Sequence, residues 1–91
     1  MNISVIGTGY VGLVTGVCFA ELGNRVICVD SNKEKIKKLK KREMPFFEPG
    51  LEELLKITVK AKRLFFSAEI KEAVNNSEVI FIAVGTPSKE N

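Results

Sequence analysis

The chain has 91 residues, of which 45% are apolar and 27% charged, and its net charge is +3. These values are ordinary for one small soluble domain, and the length leaves no room for a second. Residues 2–20 carry no charge, but glycines interrupt them and no basic residue precedes them. We therefore predict neither a membrane-spanning helix nor a secretion signal, and we expect a cytoplasmic protein.

The first third of the chain predicts a strand, a helix and a second strand. Residues 3–6 and 26–29 are short apolar runs with β-branched side chains, as in buried parallel strands. Residues 10–22 have the length of a helix and are apolar on nearly every side, which predicts burial on more than one face. Cys18 in this helix and Cys28 in the second strand are expected to be small buried residues, neither joined in a disulfide nor catalytic.

A glycine-rich turn in the pattern GxGxxG joins the first strand to the helix. Gly7 allows the sharp turn, Gly9 leaves room for a pyrophosphate, and Gly12 lets the helix pack closely on the strand. The N–H groups of Tyr10, Val11 and Gly12 lie in the first helical turn and have no partner within the helix. Together with the positive end of the helix dipole, they suit a diphosphate.

Asp30 follows the second strand at about the spacing, roughly 20 residues, that a dinucleotide-binding unit requires. Its carboxylate can accept hydrogen bonds from the 2′- and 3′-hydroxyls of a ribose and would repel a 2′-phosphate. NAD is therefore favoured over NADP as the cofactor. The alternative is a glycine turn that only joins a strand to a helix, but the surrounding pattern makes that interpretation the weaker one.

The middle of the chain predicts a basic helix, a connector with two prolines and an amphipathic helix. Ser31 and Glu34 have the spacing of a capping box, and residues 33–42 hold half of the fourteen Lys and Arg residues. After the connector at residues 44–50, apolar side chains recur at helical spacing from Leu51 onward. The basic helix could face a nucleic acid or an anionic membrane, but no aromatic residues interleave with its lysines, and a solvated face is expected.

The last third predicts a strand at residues 64–66, a short helix from Ile70 and a strongly apolar strand at residues 79–84. The element order is β-α-β-α-α-β-α-β. Right-handed crossovers then predict an α/β fold, a Rossmann-type doubly wound parallel sheet with strand order 3-2-1-4. The crevice between strands one and four would bring Thr86, just after the last strand, to the same ligand as the glycine turn.

Four segments of the chain together resemble the nucleotide-sugar dehydrogenase family: residues 7–23, 29–30, 45–51 and 79–87. The resemblance covers essentially the whole chain. It is strongest to members that act on UDP-glucose, while members that act on GDP-mannose or UDP-amino sugars share related patterns. It implies an NAD-dependent enzyme that oxidises the sugar C6 alcohol, UDP-glucose to UDP-glucuronate. The alternative from another class is a non-catalytic Rossmann domain that senses nucleotides.

The resemblance also implies roles for individual residues. The N–H groups of Tyr10 and Val11 would meet the pyrophosphate, Asp30 and Lys35 the adenosine ribose, and Thr86 the nicotinamide side. Taken with the glycine motif, the predicted cofactor-binding residues are Gly7, Gly9, Tyr10, Val11, Gly12, Asp30, Lys35 and Thr86.

In this family the catalytic groups and the sugar-nucleotide site lie beyond the first domain. Residues 1–91 are therefore expected to be an incomplete N-terminal NAD-binding domain without the substrate-binding and catalytic domains. We predict no catalytic residue and no metal site in it, and no oxidation by the chain alone. The fourth strand would be left exposed, which favours contact with a second copy.

Overall fold

The structure, a computed structural model, describes residues 1–84. Its elements follow the predicted order: β1 (Asn2–Ile6), α1 (Tyr10–Glu21), β2 (Arg25–Val29), α2 (Lys33–Lys40), α3 (Leu51–Lys60), β3 (Leu64–Ser67), α4 (Ile70–Asn75) and β4 (Val79–Ile82). Thr86 lies outside the described residues, so its predicted contact with the cofactor stays a prediction.

The four strands form one parallel sheet in the order β3-β2-β1-β4. This confirms the predicted fold class and strand order. Because the order reverses at β1, the carboxyl ends of β1 and β4 flank a crevice, which is where ligands bind in open α/β sheets. The glycine turn leaves β1 at this crevice.

The core lies between the sheet and the first helices. Val5, Val26 and Cys28 face α1, where Gly16 allows close packing: a Cβ added there would lie 2.5 Å from the Cys28 Sγ. Burial raises the pKa of the Cys28 thiol to about 12, so this sulfur stays protonated at neutral pH. On the opposite face of the sheet, the buried Ser4 hydroxyl donates to the Ala73 carbonyl of α4.

One prediction about α1 needs correction, and another is confirmed. The fully buried residues of this helix form one stripe: Gly12, Leu13, Gly16, Val17 and Ala20. Cys18 lies off that stripe and is exposed, so its predicted burial is wrong, whereas that of Cys28 is confirmed. Burial extends beyond this stripe, because α1 packs on both the sheet and α3, and Val14 and Phe19 are partly buried against the core. The predicted burial on more than one face is therefore confirmed.

The capping-box prediction for α2 is also wrong, by one residue. Asn32, rather than Ser31, caps the helix: its Oδ1 accepts hydrogen bonds from the N–H groups of Glu34 at 3.0 Å and Lys35 at 3.1 Å. The helix ends at Lys40, short of the predicted position 42, because Arg42 adopts a left-handed φ of 64°.

The exposure expected for the fourth strand is observed. Ile80 is 41% exposed and Ile82 73% exposed, and β4 ends at Ile82 rather than at residue 84. Within residues 1–84, no helix combines the length and the apolar character that crossing a bilayer requires.

Candidate dinucleotide-binding site

The turn after β1 requires glycine at its first position. Gly7 has a φ of 108°, a conformation that side chains rarely tolerate, and its N–H donates to the Val29 carbonyl at 2.7 Å. A Cβ at Gly7 would also lie 3.0 Å from backbone atoms of Ala83 and Val84. The turn is thus held against the ends of both neighbouring strands.

The other two glycines of the turn serve different purposes. A Cβ at Gly12 would overlap the carbonyl oxygen of Gly7, so glycine is needed for α1 to start close to the turn. Apart from its own chain neighbours, no atom of residues 1–84 would lie within 4 Å of a Cβ at Gly9. Packing within residues 1–84 therefore does not require glycine at this position, which leaves the backbone accessible to a ligand.

The first turn of α1 offers unpaired hydrogen-bond donors. Among residues 1–84, no side chain caps this helix and no backbone carbonyl accepts from the N–H groups of Tyr10, Val11 or Gly12. The turn also contains no acidic residue. Since these donors and the helix dipole both favour negative charge, the helix start has the chemistry of a diphosphate site.

Asp30 lies beside the glycine turn and is held by hydrogen bonds from two directions. Its Oδ2 accepts from the Thr8 hydroxyl at 2.7 Å and from the Thr8 N–H at 3.1 Å. Its Oδ1 accepts from the Asn32 N–H at 2.9 Å. The Lys35 Nζ lies 3.7 Å from Oδ2, and the Asp30 side chain keeps 16% of its surface exposed. The carboxylate is therefore fixed in place but still open to solvent.

These contacts also control the charge of Asp30. Burial by itself raises the pKa of the Asp30 carboxyl, but the hydrogen bonds from Asn32 and Thr8 and the charge of Lys35 oppose it, and the net pKa lies below the ordinary value. At neutral pH the group is a carboxylate, which accepts hydrogen bonds only. Hydroxyl groups of a sugar are suitable donors for it, and a phosphate group is not.

A cleft of about 450 Å³ is lined in part by the three residues that contact Asp30, although Asp30 itself does not line it. Thr8, Asn32 and Lys35 line it near Asp30, and Leu39 and Met44 line it where α2 meets the connector. A larger cleft of about 550 Å³ lies on another part of the sheet, next to α4, and none of the predicted cofactor-binding residues lines it. The smaller cleft is the relevant one because it adjoins the glycine turn.

The connector at residues 44–50 also reaches the turn, which the sequence did not indicate. The Tyr10 hydroxyl donates to the Glu48 Oε1 at 3.0 Å, and the Tyr10 ring lies 5.2 Å from that of Phe46. The hydrogen bond to Glu48 and the Glu48 charge raise the pKa of the Tyr10 phenol. Phe47 is 89% exposed, so of the two phenylalanines only Phe46 packs against the turn.

The structure thus brings most of the predicted site residues to one end of the sheet: Gly7, Gly9, Tyr10, Val11, Gly12, Asp30 and Lys35. It adds Thr8, which sequence analysis passed over because the motif leaves that position free. The sequence signal for Thr8 was only its place between two glycines of the turn.

This fold and turn define a Rossmann-type dinucleotide-binding domain. A family model described as the UDP-glucose/GDP-mannose dehydrogenase family, NAD binding domain, matches residues 1–91. The chain belongs to this family as its NAD-binding domain, which confirms the predicted family and the predicted cofactor.

Curated relatives agree with this assignment. The chain is 52% identical over 91 residues to a UDP-glucose 6-dehydrogenase of Pseudomonas aeruginosa, and the match includes 100% of this chain and 20% of that protein. It is 55% identical over 89 residues to a UDP-glucose 6-dehydrogenase of Rhizobium meliloti, and this match includes 98% of the chain and 20% of the relative. The chain therefore spans about a fifth of the length of the curated relatives it matches.

Solved structures give the same result. A GDP-mannose dehydrogenase from Pseudomonas aeruginosa matches with a TM-score of 0.93 and 44% identity, over 99% of this chain and 21% of that one. A UDP-glucose dehydrogenase from Pyrobaculum islandicum matches with a TM-score of 0.90 and 44% identity, over 94% of this chain and 20% of that one.

Proposed function

We propose that this chain holds the adenosine diphosphate half of NAD for an enzyme that oxidises UDP-glucose to UDP-glucuronate. One observation carries the binding part of the proposal: the unpaired N–H groups at the start of α1 lie next to a carboxylate that Thr8 ties to the same turn. Such an arrangement is complementary to a diphosphate followed by a ribose.

In this proposal the residues divide the cofactor between them. The N–H groups of Tyr10 and Val11 donate to the diphosphate, and the absence of a side chain at Gly9 allows the approach. Asp30 accepts hydrogen bonds from the adenosine ribose. The charge of Lys35 favours the ionised form of Asp30, and its ammonium offers a donor to the same ribose. Thr86 is proposed to contact the nicotinamide side.

The chain's own contribution to the reaction is binding and orientation. Bound NAD supplies the hydride acceptor, and hydride transfer requires that both reactants be held in near-attack geometry. Because the chain spans about a fifth of its relatives, we propose that it is an incomplete domain of a longer enzyme. The sugar nucleotide and the catalytic groups would then lie outside residues 1–91, and the chain alone would be inactive.

The choice of UDP-glucose rests on the curated relatives, which are UDP-glucose 6-dehydrogenases at 52% and 55% identity. GDP-mannose and UDP-N-acetyl-mannosamine are named for solved neighbours at 44% and 34% identity. NADH formation by the intact protein, measured with each of the three sugar nucleotides in turn, decides between them. Faster turnover of either alternative would overturn the choice of UDP-glucose.

The binding part is tested with Asp30→Ala and calorimetric titration of NAD and NADP. Loss of hydrogen bonds to a charged acceptor should weaken NAD binding by about tenfold or more, and NADP should be excluded less strongly. Glu52→Ala is the matched control, because Glu52 is also a carboxylate near a lysine, with its Oε2 3.5 Å from the Lys56 Nζ on α3. Unchanged NAD affinity in Asp30→Ala would contradict the proposal.

We also propose that the exposed side of β4 is covered in the intact protein, either by the remainder of the longer enzyme or by a second copy. Ile82 at 73% exposure, next to Ile80 at 41%, supports this, because apolar strand surface favours association. Light scattering of the intact protein tests it. A monomer at high concentration would rule out contact between copies.

A further inference from the structure

Thr8 is a buried polar residue in the middle of the glycine turn. Its side chain is 0% exposed, as are those of Ser4 and Thr58 among the described residues. The other two hydroxyls donate to backbone carbonyls: Ser4 to Ala73, and Thr58 to Leu54. Thr8 differs, because its hydroxyl donates to an ionised side chain at the ligand-facing end of the sheet.

The hydrogen bonds around Asp30 are distributed unevenly between its two oxygens. Oδ2 receives both the hydroxyl and the N–H of Thr8, and it also faces the Lys35 ammonium. Oδ1 receives one N–H, that of Asn32. A carboxylate offers about four acceptor positions, two on each oxygen. Among residues 1–84, the acceptor position left open is therefore on Oδ1.

We infer that Thr8 is a positioning residue for the cofactor: by occupying Oδ2 of Asp30, it turns Oδ1 toward the adenosine ribose. Because Thr8 stands between Gly7 and Gly9, the same contact fixes the ribose subsite relative to the backbone that takes the diphosphate. Thr8 touches the carboxylate rather than the ligand. This inference rests on the proposed role of Asp30.

The experiment compares variants of Thr8 in the intact protein by calorimetric titration of NAD. Thr8→Val keeps the shape and removes the hydroxyl. It should weaken NAD binding about tenfold, because a carboxylate that is no longer held in place loses its own hydrogen bond to the ribose, and the effect should not exceed that of Asp30→Ala. Thr8→Ser keeps the hydroxyl and should stay close to wild type. Thr58→Val is the control for removing a buried threonine hydroxyl elsewhere, and its NAD affinity should be unchanged.

A double-mutant cycle separates positioning from general damage to the fold. If Thr8 acts through the carboxylate, Thr8→Val should have less than about a twofold effect on NAD affinity once Asp30 is alanine. An equal loss in both backgrounds would overturn the inference. Should Thr8→Val not fold, Thr8→Ala and Thr8→Ser form a second pair that differs by one oxygen atom, and the same cycle applies to Thr8→Ala.

The outcomes distinguish this inference from the proposed function. If Asp30→Ala weakens NAD binding but Thr8→Val, or Thr8→Ala in its place, binds like wild type, the inference fails and the proposed function stands. If Asp30→Ala itself binds NAD like wild type, the proposed role of Asp30 fails first. Two results together support the inference. The hydroxyl-free variant should bind NAD weakly while Thr8→Ser binds it like wild type, and removing the hydroxyl should cause no further loss of affinity once Asp30 is alanine.

Discussion

Replacing Gly9 with alanine should separate folding from cofactor binding. The residue has a φ of −73° and a ψ of −169°, which alanine adopts without strain. Within the described part of the chain, an added Cβ meets no atom within 4 Å beyond its own neighbours in sequence. The protein therefore has room for the methyl group. The same methyl group would obstruct a diphosphate that approaches the backbone at this position.

The expected magnitudes follow from these two facts. Removing a glycine from the unfolded chain stabilises by about 0.4–1 kcal/mol, and alanine is a poorer N-cap than glycine by a comparable amount. The free energy of unfolding should thus change by less than about 1 kcal/mol. Losing even one hydrogen bond from a backbone N–H to the charged diphosphate costs about 1.5–3 kcal/mol, which corresponds to at least about a tenfold weaker affinity for NAD.

Gly12→Ala is the informative comparison. A Cβ there overlaps the Gly7 carbonyl oxygen, and a forced contact of this kind costs about 1–3 kcal/mol, more than the roughly 1 kcal/mol of helix propensity that alanine adds. Amide hydrogen exchange of β1 and α1 measures local stability, and titration calorimetry measures NAD affinity. Gly9→Ala should lower only the affinity for NAD, whereas Gly12→Ala should lower both the affinity for NAD and the local stability of β1 and α1. Wild-type affinity in a folded Gly9→Ala protein would refute an approach of the diphosphate at this turn.

Two further outcomes concern the core and the charge of the site. Gly16→Ala should speed hydrogen exchange in α1 and β2, because its Cβ would lie 2.5 Å from the Cys28 Sγ. Adding Cys28→Ala to this variant should restore part of the lost protection. Equal exchange in the single and the double variant would argue against this contact. Because the pKa of Asp30 is lowered on folding, its ionisation contributes stability above the ordinary Asp pKa of about 3.9, and that contribution is lost as the pH falls through the folded value. The stability difference between wild type and Asp30→Asn, followed by hydrogen exchange from about pH 6 downward, should shrink with acid; a constant difference would show that the carboxylate is not stabilised by its partners.

Sequence analysis predicted the sheet, and it predicted that Asp30 lies beside the glycine turn, because both depend on strong local patterns. Apolar runs bounded by glycine mark the strands, and the handedness of crossovers leaves few possible strand orders. Asp30 could be assigned because the acid at the end of the second strand has a fixed place relative to the glycine turn. These features follow from the backbone and need no knowledge of side-chain packing.

The features that the sequence did not predict depend on contacts between distant side chains. Ser31 and Asn32 are both good caps, and only the structure shows that the side chain of Asn32 reaches the first N–H groups of α2. The burial of α1 could not be assigned to one stripe because nearly every residue in it is apolar. Thr8 and Glu48 find their partners 22 and 38 residues away, and no spacing rule links such positions.

Tyr10 is the one tyrosine of this chain, which contains no tryptophan. Its ring lies at the first position of α1, with the hydroxyl on Glu48. Near-ultraviolet absorption and emission from residues 1–91 therefore arise largely from a single chromophore at the mouth of the crevice. Tyr10 is therefore an intrinsic fluorescent probe at this site, and the binding of a dinucleotide to this domain can be followed by its emission without attaching a dye.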